Sequence, residues 1–306
     1  MSWYKNNKEE LINIFETISK ETNKTSEIIE KDTIQTMFLY ELSKEDLPFV
    51  FKGGTSLSKA YGIINRFSED IDLSMAKKPT DSERRRSNEI ILNIANKLGF
   101  ILDNPDMIKT RYSYNKYIFK YESLFNAERQ EIIIETSYYQ RVYPVIKHKI
   151  NSYISNYCKN NNIVLPFDDY SLDFSMNVQS LERTFIDKVF AICDYRIQNM
   201  EERDSRHLYD VAKIMPYIKL DENLDNLIDQ VREDRMLSKN NPSADLKYNI
   251  NEMIEEIINK RFYEKDYNEI TNKLLYENYS YDDSIKNGIS KILDSKVFNY
   301  NKNGSN

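Results

Sequence analysis

From Lys8 to about Lys20 the apolar residues Leu11, Ile12, Ile14, Phe15 and Ile18 recur at helical spacing, and a second such pattern runs from about Ser26 to Leu42. The chain therefore opens with a helical pair. Leu47-Pro48-Phe49-Val50-Phe51 is a short apolar run halted by Gly53-Gly54, which predicts a buried strand ending in a tight turn. Thr55 to Tyr61 suits a short helix closed by Gly62. Asp70-Ile71-Asp72-Leu73-Ser74-Met75 alternates polar with apolar, so it reads as a half-buried strand carrying both aspartates on one face. Thr80 with Glu83 forms a capping box for a helix running to Leu98 and stopped by Gly99. Tyr112 to Tyr121 and Glu131 to Tyr138 add strands.

After about Asn151 the pattern turns helical, over Leu181–Met200, Ser205–Ile218, Leu224–Leu237, Leu246–Lys260, Tyr263–Tyr276 and Asp282–Leu293. The reading is an α+β chain: N-terminal helices over 1–45, a core with a small mixed sheet over 46–150, and a helical C-terminal domain over 151–306. Asn299–Asn306 has no apolar pattern and reads as a frayed tail.

Composition narrows the chemistry. With 306 residues and 40% hydrophobic content the chain can bury a proper core, and its 6 glycines and 7 prolines favour helices over a turn-rich all-β fold. Cys158 and Cys193 lack the close pairing of a zinc or redox motif, and His148 and His207 are too far apart for a histidine site. A metal would have to be held by oxygen. No run approaches the roughly 18 apolar residues of a membrane span, so the expected location is the cytoplasm. The net charge of −6 argues against a general nucleic-acid coat protein. A local basic rim is still available from Arg84-Arg85-Arg86, Lys109, Arg111, Arg129, Arg141, Lys147 and Lys149.

Two aspartates one residue apart on a strand point the same way and can share hard divalent cations, the arrangement that transfer from a nucleoside triphosphate requires. Asp70 and Asp72 are that pair, and Glu135, in the otherwise apolar run Ile132-Ile133-Ile134-Glu135, is the candidate third ligand. The Gly53-Gly54-Thr55 turn sits between strand and helix, where backbone amides can face a phosphate. Blander readings stand beside these. The aspartates could be solvated, Glu135 a strand end, Lys188 a snorkelling lysine, Asp204 a helix N-cap and Asp210 an i, i+4 partner of Arg206.

Gly53-Gly54-Thr55-x-Leu57 followed by Arg66-Phe67-Ser68-x-Asp70-Ile71-Asp72-Leu73 resembles the AbiEii/AbiGii toxin group of nucleotidyltransferases, in the polymerase-β-like superfamily. Leu181-x6-Lys188 and Arg203-Asp204-x5-Asp210-Val211 are similar to its later motifs, so the resemblance covers about residues 45 to 215. Many superfamily members have Gly-Ser at the turn and a shorter gap to the aspartates; the AbiEii-like group shares the Gly-Gly-Thr variant. The resemblance implies that Gly53, Gly54 and Thr55 bind phosphate, that Arg66 and Ser68 line the triphosphate pocket, that Asp70 and Asp72 hold Mg2+ or Mn2+, that Lys188 contacts the nucleotide, and that Asp210 completes the site. It further implies a toxin of a type IV toxin–antitoxin or phage abortive-infection system, with an RNA acceptor such as tRNA and a separately encoded antitoxin. Other acceptors, a protein side chain or a small molecule, remain open at this point, as does a nucleotide-binding module without turnover.

Overall fold

A computed structural model of the chain describes residues 2–163, 173–202, 204–295 and 297–298; Arg203 of the second motif and the tail Asn299–Asn306 lie outside them. The chain divides into two compact units, one formed by Met1–Gly62 with Ser68–Gln179, the other by Ile63–Phe67 with Ser180–Asn306.

The first unit opens with helices α1 (Ser2–Asn6), α2 (Lys8–Thr22) and α3 (Ser26–Leu42). A seven-stranded sheet follows: β1 (Phe49–Lys52), β2 (Asp70–Met75), β3 (Ile101–Leu102), β4 (Tyr114–Tyr121), β5 (Gln130–Ser137), β6 (Val145–Ile150) and β7 (Phe174–Gln179), in the spatial order β3-β4-β5-β2-β1-β7-β6. Three helices interrupt it, α4 (Gly53–Lys59), α5 (Asp81–Lys97) and α6 (Tyr153–Asn160). The sheet is mixed: β2 pairs parallel with β5 and antiparallel with β1, and β1 pairs parallel with β7.

Strand alternation sorts the two faces. Phe51, Ile71, Leu73, Tyr117, Phe119, Ile132, Ile134 and Val178 point into one apolar core, joined by Leu11, Phe15, Ile34, Phe38, Ile91 and Ile94 from α2, α3 and α5. Residues of opposite parity, among them Asp70, Asp72, Lys116 and Glu135, lie on the other face and are half-buried. Thr80 and Glu83 form the expected reciprocal capping box at the start of α5. Cys158 and Cys193 are free and buried, the former in this core.

The second unit is built from α7 (Leu181–Ile197), α8 (Arg206–Ile214), α9 (Glu222–Met236) and α10 (Ile250–Asn259), followed by shorter segments that include π-helical turns at Tyr267–Thr271 and Ile285–Ile289. Its core takes Phe185, Val189, Ile192, Leu208, Val211, Ile228, Val231, Ile254 and Ile257. Gly288 lets the second π turn lie against α8: a Cβ there would stand 3.1 Å from the Ala212 amide nitrogen.

Three sequence expectations shift. The glycine-turn helix starts at Gly53 and not at Thr55. Strands β6 and β7 are additional, and β7 lies in the stretch after Asn151 that was read as the start of the helical half, so the chain divides at Gln179 and not near residue 150. The short segment Ile63–Phe67 belongs with the helices, since Phe67 N–H donates to Leu274 O at 2.8 Å and Tyr276 N–H to Asn65 O at 2.9 Å.

Candidate active site

On the half-buried face of the sheet unit, register alone assembles a row of four charged side chains across four neighbouring strands. Lys52 pairs with Asp72, Asp72 with Glu135, and Glu135 with Lys116. Facing side chains in adjacent strands stand about 5 Å apart at Cβ, so two carboxylates sit side by side between two ammonium groups. Asp70 lies two residues from Asp72 on the same strand and the same face. Lys116 Nζ reaches Glu135 Oε1 at 3.1 Å. Burial by itself would lower the Lys116 pKa, but the adjacent Glu135 outweighs it and pushes the pKa up. Tyr114, on the same face of β4, has its phenol pushed up by burial and then by the charges of Glu135, Asp72 and Asp70. Glu135, Asp72 and Asp70 therefore act together on the space beside Tyr114.

The glycine turn supplies the closest approach. Gly53 has φ +76, and a Cβ built on it would fall 1.9 Å from Asp72 Oδ2 and 2.8 Å from Asp72 Cγ. The Asp72 carboxylate thus occupies the space that any other residue at 53 would need for its side chain. Thr55 pins the turn to β2: its hydroxyl donates to Asp70 O at 2.5 Å and bonds Ser68 Oγ at 2.8 Å, and the residue is buried. Thr55 and Ser68 are thus joined to each other and hold the strand that carries the aspartates. Gln35 of α3 supports the same corner, its Nε2 donating to Glu69 O at 2.7 Å.

In the helical unit, Asp210 is fully buried and accepts from Arg66 Nε and NH2, each at 2.7 Å, and from Lys188 Nζ at 2.6 Å. Arg66 also donates to Phe67 O at 2.8 Å. Burial would raise the Asp210 pKa, but the Arg66 guanidinium and then the Lys188 ammonium hold it well below the usual carboxylate range. Lys188 is pushed down by its own burial, against the pull of Asp210. Its ammonium also lies 3.3 Å from His207 Nδ1, a contact that favours a neutral imidazole accepting at that nitrogen. Arg206, the i, i+4 candidate for Asp210, instead meets Asp204 at 3.0 Å. Asp204 has φ +59, and the residue before α8 is Ser205, whose N–H goes to Asp266.

Sequence reading did not single out Lys52, Lys116 or Tyr114. Lys116 and Tyr114 sit at alternate positions of a strand that was foreseen, so their shared face was legible; that the face adjoins Glu135 was not. As a fit for a hard cation, Asp70 and Asp72 offer oxygen donors on one face, with Glu135 one strand away. Among the described residues no three His, Cys, Asp or Glu side chains already converge as a metal cluster, and the Lys116 contact on Glu135 accords with that.

Known proteins are similar over most of the chain. The nucleotidyltransferase toxin MenT4 of Mycobacterium tuberculosis H37Rv shares 15% identity with a TM-score of 0.50, over 93% of this chain and 88% of that one, which shows a common fold. A structure from H. pylori described as a nucleotidyltransferase shares 18% identity with a TM-score of 0.48, over 89% and 96% of the two chains. No curated protein sequence is significantly similar. Residues 37–287 match the family described as "Nucleotidyl transferase AbiEii toxin, Type IV TA system", well past the residue 215 at which the recognisable motifs end. The chain belongs to this AbiEii family of type IV toxin–antitoxin nucleotidyltransferases.

Proposed function

We propose that the chain transfers a nucleotidyl group from a nucleoside triphosphate to a hydroxyl of an RNA such as tRNA, with release of pyrophosphate, using a divalent cation held by Asp70 and Asp72. The observation that carries the reading is the Lys52–Asp72–Glu135–Lys116 row with the Asp72 carboxylate seated in the side-chain space of Gly53. When bound, Mg2+ or Mn2+ would supply Lewis-acid polarisation of the phosphate and lower the pKa of the attacking hydroxyl.

The chain's own residues set up the rest. Asp70 and Asp72 provide the hard oxygen ligands, and Gly53 and Gly54 leave backbone amides open to phosphate beside them. Lys52 and Lys116 balance the negative charge that accumulates as a triphosphate approaches two carboxylates. Glu135 is the group placed to accept the proton of the attacking hydroxyl once Lys116 transfers its ammonium from Glu135 to a phosphate oxygen. Thr55 and Ser68 act by fixing β2. In the helical unit, the nucleotide contact implied by the resemblance falls to the Lys188 ammonium, anchored by Asp210, which Arg66 in turn holds in place. Family membership brings an antitoxin partner, and arrest of phage-infected cells is the proposed biological setting.

The test is an acceptor assay with all four labelled triphosphates, magnesium, and either total RNA or a protein extract, run beside Asp70→Ala and Asp72→Ala. Label in RNA that disappears in both variants is the expected result. Label in the protein fraction alone would exclude the RNA acceptor, and growth inhibition that survives both substitutions in a folded protein would exclude catalysis as its cause.

A further inference from the structure

The edge of the sheet unit where β4 begins and β5 ends carries side chains that the transfer chemistry above does not use. Tyr138 N–H donates to Ser113 O at 2.7 Å, so the segment leading into β4 runs beside the one leaving β5. Three tyrosines are exposed there to differing degrees, Tyr112 at 58%, Tyr139 at 58% and Tyr114, whose phenol is partly covered, at 41%. Rings of this size are normally recruited into a core or an interface. Tyr114 shares its face of β4 with Lys116 and is adjacent to Ser137 of β5, two residues beyond Glu135. The aromatic edge therefore begins at the carboxylate row.

Cations interleave with these rings. The Lys109 ammonium lies 5.1 Å from the Tyr112 ring centroid, Arg111 is the exposed neighbour of Tyr112, and Arg141, exposed two residues after Tyr139, sets its guanidinium 5.4 Å from the Tyr143 ring centroid. Four other members of the basic rim expected from sequence are spent differently. Arg84 is paired with Asp81, Arg86 with Asp46, Arg129 with Glu122 at 3.6 Å, and Lys149 with Asp173 at 2.7 Å. Cations set among exposed rings match unpaired nucleotides, whose bases stack on any aromatic face while phosphates meet the charges. A base-paired end offers its phosphates but keeps its bases stacked inward.

We propose that this edge is the seat of the acceptor strand: Tyr112 and Tyr139 stack on unpaired terminal nucleotides, Lys109, Arg111 and Arg141 take their phosphates, and Tyr114 borders the carboxylate row. The proposal rests on the RNA-transfer reading and specifies its substrate class, an RNA whose end is single-stranded. A blunt duplex is excluded as acceptor because it presents no free base to the rings.

Fluorescence anisotropy of the full chain with a labelled RNA hairpin bearing an unpaired tail, against the same hairpin with a blunt end and no triphosphate present, tests it. The tailed hairpin should bind more tightly, and Tyr112→Ala with Tyr139→Ala should weaken it about tenfold or more while leaving the blunt hairpin unchanged. Phenylalanine at both positions should restore the tail preference, and Lys109→Gln with Arg111→Gln should flatten its salt dependence. Equal binding of tailed and blunt hairpins by the natural chain, or full tail binding by the alanine pair, overturns the proposal. Asp72→Ala separates the two claims, because it should abolish transfer while retaining tail binding. If the natural chain labels no RNA yet holds the tail through its tyrosines, the transfer reading fails and the platform stands.

Discussion

Asp210→Asn offers the sharpest separation between a carboxylate that holds the fold and one that works on substrate. The substitution keeps the side chain's shape and removes its charge. In the native chain one fully buried carboxylate is the shared partner of two cations, Arg66 at 5% exposure and Lys188 at 6%. An asparagine retains one acceptor oxygen but turns an NH2 group toward a guanidinium or an ammonium, leaving charge buried without its counter-ion. Breaking a buried pair from one side costs roughly 3–5 kcal/mol. For a unit of this size that corresponds to a melting temperature lower by about 10–20 °C. Since two units need not unfold together, the readout should resolve them. Hydrogen exchange followed by mass spectrometry is expected to show faster exchange in peptides of α7 and α8 in Asp210→Asn, with peptides of β2 and β5 unchanged. Asp72→Asn should do the reverse, losing transfer while exchange stays native. If Asp210→Asn keeps native exchange and stability while transfer falls to background, the carboxylate acts on substrate and the counter-ion reasoning is refuted.

Other outcomes follow from the same geometry. Gly53→Ala should lose about 100-fold or more in transfer, because its Cβ would displace the Asp72 carboxylate by well over an ångström, and the positive φ adds a stability cost of about 1 kcal/mol; a variant with native turnover would show that the position of Asp72 is immaterial. Burial first and the Lys188 ammonium second push His207 down to about 4 from its ordinary 6.5. The unfolded chain therefore takes a proton that the folded chain refuses through that window. This contribution to stability is complete above 6.5 and declines as the pH falls toward 4, by about 3 kcal/mol in total. His207→Gln should remove that slope from urea melts run across the window, and an unchanged slope would contradict a neutral buried imidazole. Lys116→Met should free Glu135 from its ion pair and lower turnover at saturating triphosphate, with little change in melting temperature, since the lysine is 41% exposed.

Local signals carried much of the fold. The alternation over Asp70–Met75 marked β2 to the residue, and Thr80 with Glu83 marked the start of α5, because both depend on neighbours within one strand or one turn. Strand β7 has the same period-two pattern in Phe174, Met176 and Val178, yet what makes it a strand is tertiary pairing, antiparallel with β6 along its whole length and parallel with β1, more than a hundred residues earlier in the chain. The site follows the same division. The aspartates and the glycine turn lie close together in sequence, each as a short local motif, and could be picked out from it. The flanking Lys52 and Lys116 depend on the registers of separate strand pairs, which only the assembled sheet fixes. Arg66 was read as a triphosphate ligand from its place in the motif, whereas its hydrogen bonds to Asp210 come from a tertiary contact across 144 residues.

The five-residue segment Ile63–Phe67, which sits in sequence amid the sheet unit and folds with the helices, determines how this protein can be divided. Cleavage at the Gln179–Ser180 junction would not yield two independent pieces. The C-terminal fragment would lack Arg66, leaving Asp210 with Lys188 alone, and the backbone around Leu274 and Tyr276 would lose its partners at Phe67 and Asn65. The N-terminal fragment would carry an arginine built to be buried, with nothing to bury it. The two fragments should therefore regain native structure only when mixed, and any domain-exchanged form of the protein must carry Ile63–Phe67 together with the helices that follow Ser180.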